Sequence, residues 1–141
     1  MKTKLNLIAA IVILNFGLTS CGNNPSSGST NLVCASIESY QSTKALALVD
    51  AAQGGSATES IDVMIGGQAV NLDSGSTAKA IFDSYLNAMK KWAGAVDQYQ
   101  LVKRSASLTE AAIQLESQID LLVPKCESKG WRFESGWRTK Q

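Results

Sequence analysis

Residues 77–104, TAKAIFDSYLNAMKKWAGAVDQYQLVKR, carry the strongest helical pattern in this chain. Apolar residues recur through the stretch at alternating steps of four and three, which is the spacing of one face of an α-helix. Because a helix with a broad apolar face contacts several neighbours, the stretch predicts an all-α fold, a small antiparallel bundle arranged around it. Two stripes make up this face: Ile81, Tyr85, Ala88, Trp92, Ala95, Tyr99 and Val102 in the first, and Phe82, Leu86, Met89, Ala93 and Val96 in the second.

A second helix is predicted before this stretch, at residues 32–53. Its apolar positions begin at Cys34 and continue at steps of three and four to Ala52. Asn31 is the expected N-cap, and Gly54-Gly55 is the expected stop, since glycine commonly follows the last turn of a helix. Cys34 therefore belongs to the stripe that faces the core.

A third helix is predicted after a short break at Ser105-Ala106. Ser107 and Glu110 have the spacing of a capping box, in which the two side chains satisfy free backbone donors at a helix start. Pro124 is expected to end or kink this helix, because proline cannot continue the backbone hydrogen bonding. So short a connection makes this helix an antiparallel neighbour of the helix at 77–104.

The segment 56–76 is compatible with two structures. Ile61, Val63 and Ile65 alternate with polar residues, and a glycine pair at 66–67 follows them, which is typical of a β-hairpin. A helix over residues 58–65 that ends at the glycine pair fits equally well. Both interpretations stay open on the sequence alone.

The amino-terminal residues have the order of an export signal. Lys2 and Lys4 precede an apolar run, and small residues lead to Cys21. The run of about fourteen residues is shorter than the roughly twenty that a transmembrane helix needs. Leu18-Thr19-Ser20-Cys21 resembles the lipobox of bacterial lipoproteins at all four positions. An ordinary secreted protein that is cleaved near Ser20, with Cys21 incidental, is the weaker alternative.

The resemblance implies a division of the chain into three parts. Residues 1–20 would be a signal peptide, residues 21–30 a flexible tether that starts at a Cys21 bearing acyl chains such as palmitate, and residues 31–141 the folded domain. The protein would then be anchored to the cell membrane on its extracytoplasmic side. In a host with two membranes, Gly22 after the lipidated cysteine favours the outer membrane.

Composition excludes several classes of function. The chain contains no histidine, which rules out Ser-His-Asp and Cys-His catalysis and removes the commonest metal ligand. Of the 13 Lys and Arg residues, two lie in the leader, which leaves eleven against 12 Asp and Glu. A charge near neutrality gives no long-range attraction to nucleic acid. We therefore expect no catalytic residue, metal site, cofactor or nucleic-acid partner.

Cys34 and Cys126 lie near the two ends of the predicted domain. An exported chain meets an oxidising compartment, where such a pair is expected to form a disulfide. In a bundle of three passes the two cysteines would be separated by roughly 25–30 Å, whereas a disulfide needs Cα atoms within about 7 Å. The bond therefore predicts four antiparallel passes, with residues 56–76 supplying the return.

The carboxy-terminal tail is aromatic and basic, with Gly-Trp-Arg at 130–132 and again at 136–138. Trp131 lies close to Cys126 and is expected to cover one end of the core. Trp137 and Arg138 are expected to lie farther out and are the candidate contacts with a partner, since Trp and Arg are common in binding hot spots.

Three functions remain on the sequence. The favoured one is a non-catalytic binding or structural module of the cell envelope, whose partner is a protein or a cell-wall component. A carrier of small apolar ligands could use the helix at 77–104, with Trp92 and Tyr99 lining a cavity. A wall hydrolase that works through carboxylates is the least supported, because it needs two Asp or Glu residues in a cleft and no such pair stands out. Glu116 and Asp120 stand one helical turn apart and are expected to be solvated surface residues.

Overall fold

A computed structural model of the chain describes residues 25–102 and 105–139. The described residues form an all-α bundle without strands, as predicted. The helices are α1 (Pro25–Glu38), α2 (Tyr40–Ala52), α3 (Ala57–Met64), a short 3-10 helix (Gly66–Asn71), α4 (Thr77–Val102) and α5 (Ser105–Glu127).

The helix α4 is the centre of the bundle. Its 26 residues span roughly 39 Å, and it contacts every other helix, including the 3-10 helix. The middle of both predicted apolar stripes is buried, so the broad face contacts several neighbours as expected. The buried residues of α4 are Ala78, Ile81, Phe82, Tyr85, Ala88, Met89, Trp92, Ala93 and Val96.

The first pass of the bundle is two helices, α1 and α2, where the sequence predicted a single helix. They meet at Ser39, whose side-chain hydroxyl donates to the carbonyl of Ser36 at 3.1 Å. The same carbonyl accepts a hydrogen bond from Tyr85 Oη at 3.0 Å. Because a carbonyl engaged by side chains is drawn out of the helical ladder, the pass breaks at this point.

The helix α1 also begins earlier than predicted. It starts at Pro25, within the segment 21–30 that was expected to be an unstructured tether. Thr30 is only 7% exposed, so the domain boundary at residue 31 is wrong and the packed domain includes at least Thr30.

The segment 56–76 is helical, and the hairpin interpretation is wrong. Ser56 caps α3 by accepting a hydrogen bond from the backbone N–H of Glu59. Ile61 and Ile65 are buried, whereas Val63 between them is 76% exposed. That pattern is the spacing of a helix, in which residues four apart share a face, whereas in a strand Val63 would share the face of Ile61 and Ile65.

The helix α5 starts and ends beyond its predicted limits. It begins at Ser105, so Ser107 lies inside the helix and the capping box predicted there is wrong. It continues through Pro124 to Glu127, since Leu122 and Cys126 on either side of the proline are buried in the core. Pro124 therefore lies inside the helix and does not end it.

The Cys34–Cys126 disulfide is present, with the Cα atoms 5.8 Å apart and both side chains fully buried. It joins the second half of α1 to the last turn of α5. The first pass is α1 with α2, the return is α3 with the 3-10 helix, and α4 and α5 complete four passes. Among the residues described, no helix has the length and apolar character of a membrane span.

Candidate functional site

The tail that follows α5 turns back and runs along the bundle. Its first anchor is the N–H of Trp131, which donates to the carbonyl of Cys126 at 3.1 Å. Farther along, the N–H of Glu134 donates to the Glu38 carboxylate at 2.6 Å. The reversal uses a left-handed backbone at Gly130, where φ is +92°, a conformation that glycine adopts without strain. The tail thus lies across the gap between the first pass and α5.

We call this covered gap the tail seam. It is lined by α2, α5 and the tail, and its defining residues are Tyr40, Lys44, Glu116, Asp120, Phe133, Trp137 and Arg138. It contains the two residues that the sequence predicts for partner contact, Trp137 and Arg138, and the two carboxylates that the sequence places one helical turn apart, Glu116 and Asp120.

Aromatic rings run through the tail seam in a continuous row. Trp131 meets Phe133 edge-on, with ring centroids 6.5 Å apart, and Phe133 stacks on Trp137 at 4.6 Å. Trp137 in turn packs edge-on against the fully buried Tyr40 at 5.7 Å. Each such pair contributes about 0.5–1.5 kcal/mol beyond the area that it buries. Trp137 therefore packs on the bundle as Trp131 does, and both rings are half-buried.

A charged network surrounds Glu116 in the middle of the seam. Tyr40 Oη donates to Glu116 Oε2 at 2.6 Å, and Lys44 Nζ lies 3.4 Å from Oε1. From the tail, Arg138 Nη1 lies 3.6 Å from Glu116 Oε2, and its Nη2 donates to the carboxylate of Asp120. The guanidinium of Arg138 also stacks over the ring of Trp137 at 4.8 Å. Arg138 consequently fastens the end of the tail to α5.

This environment fixes the protonation of Tyr40. Burial of the ring, reinforced by the hydrogen bond to the Glu116 carboxylate, raises the pKa of the Tyr40 hydroxyl far above its usual value. Tyr40 therefore remains a hydrogen-bond donor at any physiological pH. Tyr85 behaves in the same way, because its complete burial raises the pKa of its hydroxyl.

The two carboxylates do not face each other across a cleft. Glu116 and Asp120 line a shallow open depression of about 410 Å³ at the edge of the seam, and Arg138 pairs with both. A retaining or inverting glycosidase holds its two carboxylates on opposite sides of the scissile bond. The geometry of this pair is that of a surface ion-pair cluster.

The residues proposed to line a ligand cavity lie apart from the surface grooves. Trp92 is 3% exposed inside the core, where Lys44 Nζ lies 5.5 Å from its ring centroid. The larger groove, of about 500 Å³ between α4 and α5, includes neither Trp92 nor Tyr99. Trp92 thus serves as packing for α4 and as a cation–π partner for Lys44.

A second polar site, which sequence reasoning missed, lies at the start of α3. The Asp97 carboxylate accepts from the backbone N–H groups of Ala57 at 2.7 Å and Thr58 at 3.1 Å. It also accepts from the hydroxyls of Ser56 at 2.9 Å and Thr58 at 2.7 Å. Burial by itself raises the pKa of Asp97, but these hydrogen bonds outweigh it and lower that pKa below the usual value. The negative charge of Asp97 is also favoured by its position at a helix N-terminus, where the helix dipole places partial positive charge.

Cys21, the predicted site of lipidation, lies outside the described residues. Within the described ranges, no group of three or more Cys, Asp or Glu side chains is arranged to hold a metal ion.

Comparisons of this chain with protein-family models, with curated proteins and with solved structures gave no significant match.

Proposed function

We propose that this protein is a lipoprotein of the cell envelope, anchored through Cys21 on the extracytoplasmic side, and that it acts as a non-catalytic binding or structural module. The observation that carries the proposal is the disulfide between Cys34 and Cys126, both fully buried. Such bonds persist in oxidising compartments outside the cytoplasm. The lipobox residues Leu18 to Cys21 supply the corresponding export and anchoring signal.

The tail seam is the surface that we assign to partner binding. Trp137 and Arg138 are half-buried, so each has one side on the bundle and another that faces outward. Their contacts with Tyr40, Glu116 and Asp120 hold them in one arrangement before any partner arrives. A surface that is already ordered loses less conformational entropy on binding than a disordered tail would. The partner would be an envelope protein or a cell-wall component, with no nucleic acid involved.

The anchor is tested by replacing Cys21 with serine in a host that makes lipoproteins. Wild-type protein should incorporate a fatty-acid analogue and lose its signal peptide, whereas Cys21→Ser should do neither. A Cys34→Ala/Cys126→Ala variant is the matched control, because it removes two thiols and keeps Cys21. Labelling of Cys21→Ser at the wild-type level would disprove the anchor.

The binding surface is tested by crosslinking in intact cells, followed by recovery of the protein and its neighbours. A Trp137→Ala/Arg138→Ala variant should lose partners that wild type retains. Arg132→Ala is the control, because Arg132 is an exposed tail residue outside the seam. Identical partners for all three proteins would contradict the assignment of the seam.

A further inference from the structure

The outward side of α5 carries a ridge that the core does not use. Ile113 is 64% exposed and Leu121 is 59% exposed, and Ser117 lies midway between them. Residues four apart on a helix form a continuous row, which is the kind of ridge that packs into the groove of a neighbouring helix pair. Single exposed apolar residues are common. Here two of them stand on one row, and a groove lies directly beside it.

That groove is the one of about 500 Å³ between α4 and α5. Its floor is small and apolar, since Ala88, Ala111 and Leu115 line it, and its rim is formed largely by uncharged polar side chains such as Asn87 and Gln118. Lys91 is the only charged residue among those that line it. A shortage of charge over a small apolar floor is typical of the central part of a protein interface.

Two charges of opposite sign belong to the helices that form this groove. Lys91 on α4 and Glu110 on α5 are without an ion-pair partner among the described residues. The carboxylate of Glu110 accepts a hydrogen bond from Gln114 Nε2 at 3.1 Å and is otherwise exposed. The described part of the α4–α5 hairpin therefore carries a ridge, a groove, and a cation and an anion that no described residue engages in an ion pair.

We propose that this surface binds a second copy of the same chain. Under a two-fold axis, the α5 ridge of each copy enters the α4–α5 groove of the other, and Lys91 of each copy faces Glu110 of its mate. A two-fold interface uses the same patch on both molecules, so the patch must complement itself. A ridge beside a groove, with charges of both signs, meets that requirement, because each copy offers on one patch both the features that bind and the features that are bound. None of the residues that define the tail seam lines this groove.

The association is measured by sedimentation equilibrium on the full chain in a mild detergent, which keeps any lipid anchor soluble. We expect a reversible dimer for wild type. For Ile113→Lys/Leu121→Lys the dissociation constant should be at least about tenfold higher, equivalent to about 1.4 kcal/mol of lost binding free energy. Val63→Lys, at an equally exposed apolar position on α3, should dimerise like wild type. A wild type that stays monomeric to about 100 µM, or a dimer unaffected by the two lysines, overturns the proposal.

A charge exchange gives a second test that does not depend on the apolar ridge. Lys91→Glu and Glu110→Lys should each weaken the dimer, because each places like charges opposite one another, and the double variant should regain most of the affinity. All these residues are exposed, so thermal unfolding should stay near that of wild type. An additive loss in the double variant would show that the two residues do not face each other across the interface.

Crosslinking through an introduced thiol locates the axis. Ser117 belongs both to the ridge and to the lining of the groove, so it should lie close to its own mate. Ser117→Cys should form a disulfide-linked dimer in the exported protein, whereas Ser74→Cys, exposed in the loop before α4, should not. Equal crosslinking of both variants, or of neither, contradicts the arrangement.

Discussion

Asp97 in α4 binds Thr58 in α3 twice, through the backbone N–H at 3.1 Å and through the hydroxyl at 2.7 Å. With the bonds from Ser56 and Ala57, a single carboxylate accepts from two backbone N–H groups and two hydroxyls at the start of a helix of 8 residues. Helices this short are marginal on their own. The return pass of the bundle is therefore held by a cap that comes from a distant residue.

Removal of this cap should destabilise the fold. Asp97→Ala is expected to lower the free energy of unfolding by about 2 kcal/mol, since it leaves two backbone donors and two hydroxyls without their acceptor. Urea unfolding measures the loss. Asp83→Ala, which removes a carboxylate that pairs with Lys79 on the same helix, should cost less than about 0.5 kcal/mol. Equal losses for the two variants would show that the cap contributes no more than a surface ion pair.

The same carboxylate should make stability depend on pH. The folded-state pKa of Asp97 is lowered, so its contribution is fully present above the unfolded pKa of about 3.9 and is lost as pH falls through the lower folded value. The difference in stability between wild type and Asp97→Asn should thus be constant from neutral pH to about pH 5 and shrink at more acidic pH. Urea melts across that range provide the measurement. A difference that grows on acidification would contradict the sign.

The disulfide should contribute strongly to the stability of the fold, because it closes a loop across 92 positions. Cys34→Ala/Cys126→Ala is expected to lower the free energy of unfolding by about 3–5 kcal/mol, mainly by releasing the unfolded chain. The comparison uses denaturant melts of the oxidised wild type and the double variant. Peptide mapping without reductant on exported protein should recover the linked pair, and two free thiols there would refute the bond.

Truncation of either tail tryptophan to alanine should lower the free energy of unfolding by a similar amount. Trp137→Ala loses contacts with Tyr40, Phe133 and Arg138, and we expect a loss of about 2 kcal/mol. Trp131→Ala should cost no more, because Trp131 buries its Nε1 without a hydrogen-bond partner among the described residues. Arg132→Ala serves as the exposed control. Denaturant melts in which Trp137→Ala resembles Arg132→Ala would mean that the tail is not packed in solution.

The Tyr40 hydroxyl should be coupled to Glu116. Tyr40→Phe removes a hydrogen bond to a charged group, which is expected to cost about 1.5–3 kcal/mol. A double-mutant cycle with Glu116→Gln isolates the interaction from the other contacts that each residue makes. A coupling energy near zero would show that Lys44 and Arg138 alone determine the position of the Glu116 side chain.

Much of the fold could be predicted from the sequence, because apolar residues at helical spacing indicate the buried faces of α4 and α5. The disulfide expected from the sequence also predicts the number of passes, because it requires Cys34 and Cys126 to lie at the same end of the bundle. The break at Ser39 could not be predicted in this way, since it depends on Tyr85 reaching the Ser36 carbonyl from another helix. The role of Asp97 could not be predicted either. Its neighbours in the sequence are those of a surface acid, and its partners belong to α3, which packs against α4 only in the folded chain.

The tail was the least predictable part. Trp131 packs against the core as predicted, but the sequence does not show that Trp137 packs there as well. Trp137 packs because Tyr40 and Phe133 offer it two ring faces, and Tyr40 lies nearly a hundred positions earlier in the chain. No local pattern carries information about a contact of that range.

The position of the disulfide also determines how the molecule would bear a mechanical load. The bond joins Cys34 to Cys126, and the loop between them contains α2, α3, α4 and nearly all of α5. Tension applied between the amino-terminal end and a partner held by the tail would pass through the sulfur–sulfur bond and bypass that loop. Only the part of α1 before Cys34 and the tail after Cys126 could be pulled away from the bundle. Three of the four passes would remain folded under a force sufficient to extend both ends.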